Sequence, residues 1–89
     1  MTFQDRVKIM VNFALFPEVT DVFVQDESVK DTRFVSVEIR VNGNTRVINS
    51  EFNSETSANS IIRHLEPRVR LRIEEMEDAK DGEFRVQTA

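Results

Sequence analysis

The stretch FVSVEIRVNGNTRVI, Phe34 to Ile48, constrains this chain more than any other. Val35, Val37, Ile39 and Val41 alternate with Ser36, Glu38 and Arg40, the period of two of a strand with one apolar and one wet face. Asn42-Gly43-Asn44 follows. Asn-Gly between extended runs is the strongest short-range hairpin signal, because a type I′ turn needs positive φ at both central residues. Thr45 to Phe52 is then the return strand. Val19 to Gln25, rich in β-branched residues, is an earlier strand that the polar loop Asp26 to Asp31 ends. The chain is therefore expected to build an antiparallel sheet with one face left to water.

Such a sheet needs cover on its apolar face, and two segments read as helices. The first runs from Phe3 to Phe16, with Thr2 and Asp5 spaced as a capping box and Pro17 as the stop. Phe3, Val7, Met10, Val11 and Ala14 recur at helical spacing and are expected to face the core. Ile9, Phe13 and Phe16 form a second stripe, roughly 135° around the helix. That surplus is either covered by loops and the C-terminal segment or presented as a dimer or partner surface. The second helix buries Ala58, Ile61, Ile62 and Leu65, with Asn53 and Ser54 as candidate caps and Pro67 as its limit.

The stretch EPRVRLRIEEMEDAKDGEFRV, from Glu66 to Val86, admits two readings. As a helix it places Val69, Ile73 and Met76 on one stripe, but strands Leu71 opposite and sets arginines first and acids last against the helix dipole. As a hairpin it places Val69, Leu71 and Ile73 on one face, turns at Asp78 to Gly82, and returns through Glu83 to Gln87. The period of two favours the hairpin. The expected order is α-β-β-β-α-β-β, a two-layer α+β fold with a largely antiparallel sheet and helices on one face.

The 89 residues form one domain, 1–89. With no cysteine there is no thiolate metal site and no cysteine nucleophile. No apolar run reaches the length of a membrane span and no secretory signal opens the chain, so a soluble, cytoplasmic protein is expected. Two glycines cannot build a phosphate-cradling loop. His64 is the single histidine, with Ser57 and Ser60 the nearest hydroxyls in sequence. It fits a cation at a helix C-terminus better than a general base, which needs a nucleophile and an orienting group. The acids show no EF-hand spacing and no forced pair, so neither an enzyme nor a cofactor nor a metal is expected.

The sixteen acids exceed the twelve bases, giving a formal charge of −4, which argues against a nucleic-acid binder. Arg63, Arg68, Arg70 and Arg72 would carry nucleic acid if any residues did. The charge is also segregated: those four arginines precede Glu74, Glu75, Glu77, Asp78, Asp81 and Glu83. Either the two groups bridge across a wet sheet face, or the acids form an edge that docks on a basic protein surface. The α-β-β-β-α portion resembles the double-stranded-RNA-binding domain in topology. That family's basic, glycine-containing loop and lysine-rich helix start are missing, since Asn53-Ser-Glu-Thr-Ser57 stands there.

Ile39-Arg-Val-Asn42, Gly43-Asn44, Val47-Ile48, Ser50-Glu51 and Asn53 resemble the central hairpin of small phage anti-CRISPR proteins that inhibit type II CRISPR nucleases. The resemblance spans residues 34–53. It implies a helix, three antiparallel strands and a return to helix, with acidic side chains occupying the nuclease's DNA-recognition surface. That family ends in helix, whereas a hairpin is favoured here. The expected function is a non-enzymatic interaction module, a small acidic phage-type inhibitor of a nucleic-acid-handling protein, acting in the host cytoplasm. The alternative is an assembly component that homo-oligomerises through Ile9, Phe13 and Phe16.

Overall fold

The computed structural model describes residues 3–27 and 31–81; the side chains of Phe3 and of 79–81 lie outside that description. The element order is α1 (Phe3–Ala14), β1 (Val19–Glu27), β2 (Thr32–Val41), β3 (Asn44–Asn53) and α2 (Ala58–Asp81). The three strands form one antiparallel sheet in the order β1-β2-β3. This is an α+β fold in the order α-β-β-β-α.

The β2–β3 turn forms as its sequence dictates. Asn42 and Gly43 take φ of 54° and 84°, the two positive values of a type I′ turn, and Val41 pairs with Asn44. That turn fixes the register, which in turn fixes the faces. Val22 and Val24 on β1, Val35, Val37, Ile39 and Val41 on β2, and Ile48 on β3 share one side, and both helices pack there in a single apolar cluster. The other face is open to solvent.

Helix α1 packs the opposite way round from the expected one. Ile9 and Phe13 are fully buried and Phe16 packs against the core, while Val7, Met10 and Val11 stay 38%, 41% and 57% exposed. The residues buried are the bulkier ones position by position: isoleucine and phenylalanine each remove more apolar surface from water than valine or alanine. Ile9, Phe13 and Phe16 therefore hold the fold together: the first two are fully buried within it and are not exposed as a dimer surface, and Phe16 is half-buried.

The second correction concerns residues 67–81, which are helical and not a hairpin. Ala58, Ile61, Leu65, Val69, Ile73 and Met76 follow one another in steps of three and four, and all six are buried. Leu71, the residue the strand reading needed inside, is 56% exposed. The stripe along this twenty-four-residue helix buries Met76 as well, which a strand ending near Ile73 would not. Pro67 lies within α2 on its exposed side, so the helix continues past it at the cost of the hydrogen bond to the Arg63 carbonyl. The proposed return strand, Glu83 to Gln87, lies outside the described residues.

The entry to α2 is capped at Ser57 in place of Asn53 or Ser54. Ser57 Oγ accepts the Ser60 N–H at 3.2 Å, and Asn53 Oδ1 accepts the Glu55 N–H at 2.8 Å in the turn before it. Buried Arg33 ties this entry to the sheet. Its Nε donates to Asp26 Oδ1 at 2.8 Å and its Nη1 to the Thr56 carbonyl at 2.6 Å. Burial alone would raise the Asp26 pKa, but the hydrogen bond and charge of Arg33 act against it, and the carboxyl is held below its ordinary value.

Candidate interaction surface

The sequence-predicted partner-binding acids fall on one continuous helix. At about 100° per residue, with Val69, Ile73 and Met76 facing the core, Glu74, Glu75 and Asp78 project outward and Glu77 flanks them. All four are exposed. Leu71 lies near the middle of the same outward face. The Asp81 side chain and all of Glu83 lie outside the described residues.

Three of the four arginines that precede them stay exposed but make contacts within the molecule. Arg70 stacks over the Phe16 ring, 4.9 Å from its centroid, and its Nη2 lies 3.6 Å from Glu66 Oε1. Glu66 Oε2 accepts from Asn12 Nδ2 at 3.3 Å, so this set clamps α2 to α1. Arg68 Nη1 donates to Ser50 Oγ on β3 at 2.9 Å. Arg72 pairs with Glu75 at 3.7 Å along the helix. These contacts are partly exposed and individually weak, but they give the basic half of α2 an internal role. Among the described residues, no ion pair involves Glu74, Glu77 or Asp78, so the free charge of the C-terminal half of α2 is acidic, while exposed Arg63 is unpaired in the first half.

This placement has a local cost. The C-terminal end of a helix carries partial negative charge and favours cations, by about 0.3–1 kcal/mol per group in the last turn. Asp78 and Asp81 stand there, with Lys80 between them. A sequence that violates a local rule without a packing reason commonly does so for binding.

Sequence reasoning missed one neighbour of this end and a second group of acids on the far side of the sheet. Glu18, in the α1–β1 turn, lines a shallow groove of about 240 Å³ with Phe16, Arg70, Ile73 and Glu74. It sits 56 positions before Glu74 in sequence, and only the fold brings the two together. The open sheet face also carries Asp21, Glu27, Glu38 and Glu51 against Arg40 among the described residues, as the strand register places them. Glu38 Oε1 there accepts the Thr20 hydroxyl at 2.7 Å.

His64 does not sit at a helix C-terminus, because α2 continues to Asp81. Its ring meets Phe52 edge to face, 5.5 Å between centroids. Ser57 and Ser60 bond each other across the helix cap, 3.0 Å apart. Among the described residues, no three His, Cys, Asp or Glu side chains come together as a metal site, and no helix is long and apolar enough to cross a membrane. Compared with protein-family models, characterised proteins and solved structures, the chain matches none.

Proposed function

We propose that this protein is a non-enzymatic interaction module, a small acidic inhibitor of a nucleic-acid-handling protein. Its acidic α2 end docks on the partner's basic, phosphate-binding surface. One observation carries the reading: three of the four α2 arginines are engaged by Phe16, Ser50 and Glu75, while Glu74, Glu77 and Asp78 stand exposed with no ion pair among the described residues. Carboxylates on a rigid helix reproduce the charge of a phosphate run, and long-range attraction accelerates the encounter. The resemblance of the central hairpin to phage anti-CRISPR proteins names the partner class: a type II CRISPR nuclease, met in the cytoplasm of a phage's host. No cofactor or metal enters this function.

The test is a target-DNA cleavage assay run with guide-loaded type II nucleases. The wild-type protein slows cleavage, and the variant carrying Glu74→Gln, Glu75→Gln, Glu77→Gln and Asp78→Asn loses that effect while keeping its helical circular dichroism. Equal inhibition by the two proteins removes the acidic helix from the mechanism.

A further inference from the structure

Strand β1 ends the sheet, and its outer edge is unpaired by any strand among the described residues. Its hydrogen-bond phase follows from two facts. The Arg40 N–H donates to the Glu18 carbonyl at 2.9 Å, and the register slips between Val19 and Asp21, leaving Thr20 as an extra residue. Asp21, Phe23 and Gln25 therefore exchange hydrogen bonds with β2, while the N–H and C=O groups of Val22 and Val24 point to the free edge. The Val22 N–H meets only its neighbour's carboxylate, Asp21 Oδ1, at 3.0 Å. Beside this edge the outward stripe of α1 lies bare, and an open groove of about 320 Å³ runs between them, lined by Met10, Val11, Ala14, Val19 and Val22 among others.

We propose that the occupant of this edge is a second copy of the same chain. The two β1 strands pair antiparallel about a two-fold axis at Phe23, and the outward stripes of the two α1 helices meet above them. The sequence VTDVFVQDE is self-complementary in this register. Val22 and Val24 of one copy face Val24 and Val22 of the other on the apolar side, and their four edge hydrogen bonds close. On the open side Asp21 faces Gln25 of the second copy, an acceptor against an amide donor, and the two Phe23 rings, each 54% exposed, meet on the axis. Shifting the axis to Val24 would instead set Asp21 against Glu27 of the second copy twice, a pairing of like charges.

Size agrees as well. A specific interface needs about 800 Å² from each partner, roughly a seventh of the 5717 Å² surface of this chain. The edge of β1, about 30 Å long, and the bare face of α1, about 18 Å long, together give a strip of that order.

The register makes the proposal testable with single cysteines, since the natural chain has none. Phe23→Cys places two sulfurs across a non-hydrogen-bonded pair, where Cα atoms lie about 4.5 Å apart and a disulfide fits. Mild oxidation links it into a covalent dimer, while Gln25→Cys, whose opposite residue is Asp21, stays monomeric. Phe23→Lys and Phe23→Glu each abolish the dimer alone, and mixing them restores it as a heterodimer. Phe23 lies on the solvent face, so these variants fold, and circular dichroism verifies that. Light scattering needs no variant: the wild-type chain has twice its formula mass at high micromolar concentration. A monomeric mass there overturns the proposal, as does Gln25→Cys crosslinking as readily as Phe23→Cys.

Discussion

The inversion of α1 makes the sharpest stability prediction. Phe13 is fully buried against the sheet and α2, so Phe13→Ala removes its transfer free energy and leaves a cavity, costing about 3–5 kcal/mol. A domain of 89 residues has a total stability of roughly 4–13 kcal/mol, so this one change takes a large share of it. At roughly 4–8 °C per kcal/mol for a domain this small, the thermal midpoint falls by about 15–30 °C. Val11, on the stripe that sequence periodicity favoured, is 57% exposed, and Val11→Ala should stay within about 0.5 kcal/mol of wild type. Thermal denaturation followed by circular dichroism at low micromolar concentration, where self-association does not contribute, compares the two directly. Equal losses for Phe13→Ala and Val11→Ala, or the larger loss for Val11→Ala, would refute the packing described here.

Three further predictions follow from single residues. Pro67→Ala restores a backbone donor for the Arg63 carbonyl and should stabilise the protein by about 1–3 kcal/mol, read as a higher urea midpoint. Gly43→Ala meets no steric obstacle, but forces a methyl-bearing residue to φ of 84°; it should cost about 1–2 kcal/mol from backbone strain alone. Arg33→Met removes the guanidinium from Asp26 and should cost about 1.5–3 kcal/mol at neutral pH. Because the folded Asp26 carboxyl titrates below its ordinary value of 3.8, the stabilisation from ionised Asp26 is full above that value and is lost as pH falls through the lower folded one. The gap between wild type and Arg33→Met in urea should therefore narrow in strong acid.

The hairpin was the most legible part of the sequence, because alternation and Asn42-Gly43 are local signals that point to the same structure. Helix α1 was legible as a helix but not in its orientation. It carries two apolar stripes, and choosing between them requires knowing which bulk the sheet can accept. The region after Pro67 misled for a related reason. Val69, Leu71 and Ile73 alternate over five residues, but Val69 and Ile73 also continue the stripe that starts at Ala58, and that longer register decides. Reading the proline as a boundary cut the stripe in two. For the candidate site, the acids of α2 could be picked out as a charge run. The diversion of the arginines into contacts with Phe16, Glu66 and Ser50 depends on how α2 lies on α1 and β3, which the sequence does not encode locally. Glu18 was invisible for the same reason.

The most direct test of the acidic α2 end is calorimetric titration of the protein into guide-loaded type II CRISPR nucleases, before and after target DNA is bound. The proposed mechanism predicts saturable binding that bound DNA abolishes, that weakens steeply as salt is raised, and that the four-acid variant loses. Binding that is unchanged by target DNA and by removal of the four carboxylates would contradict it.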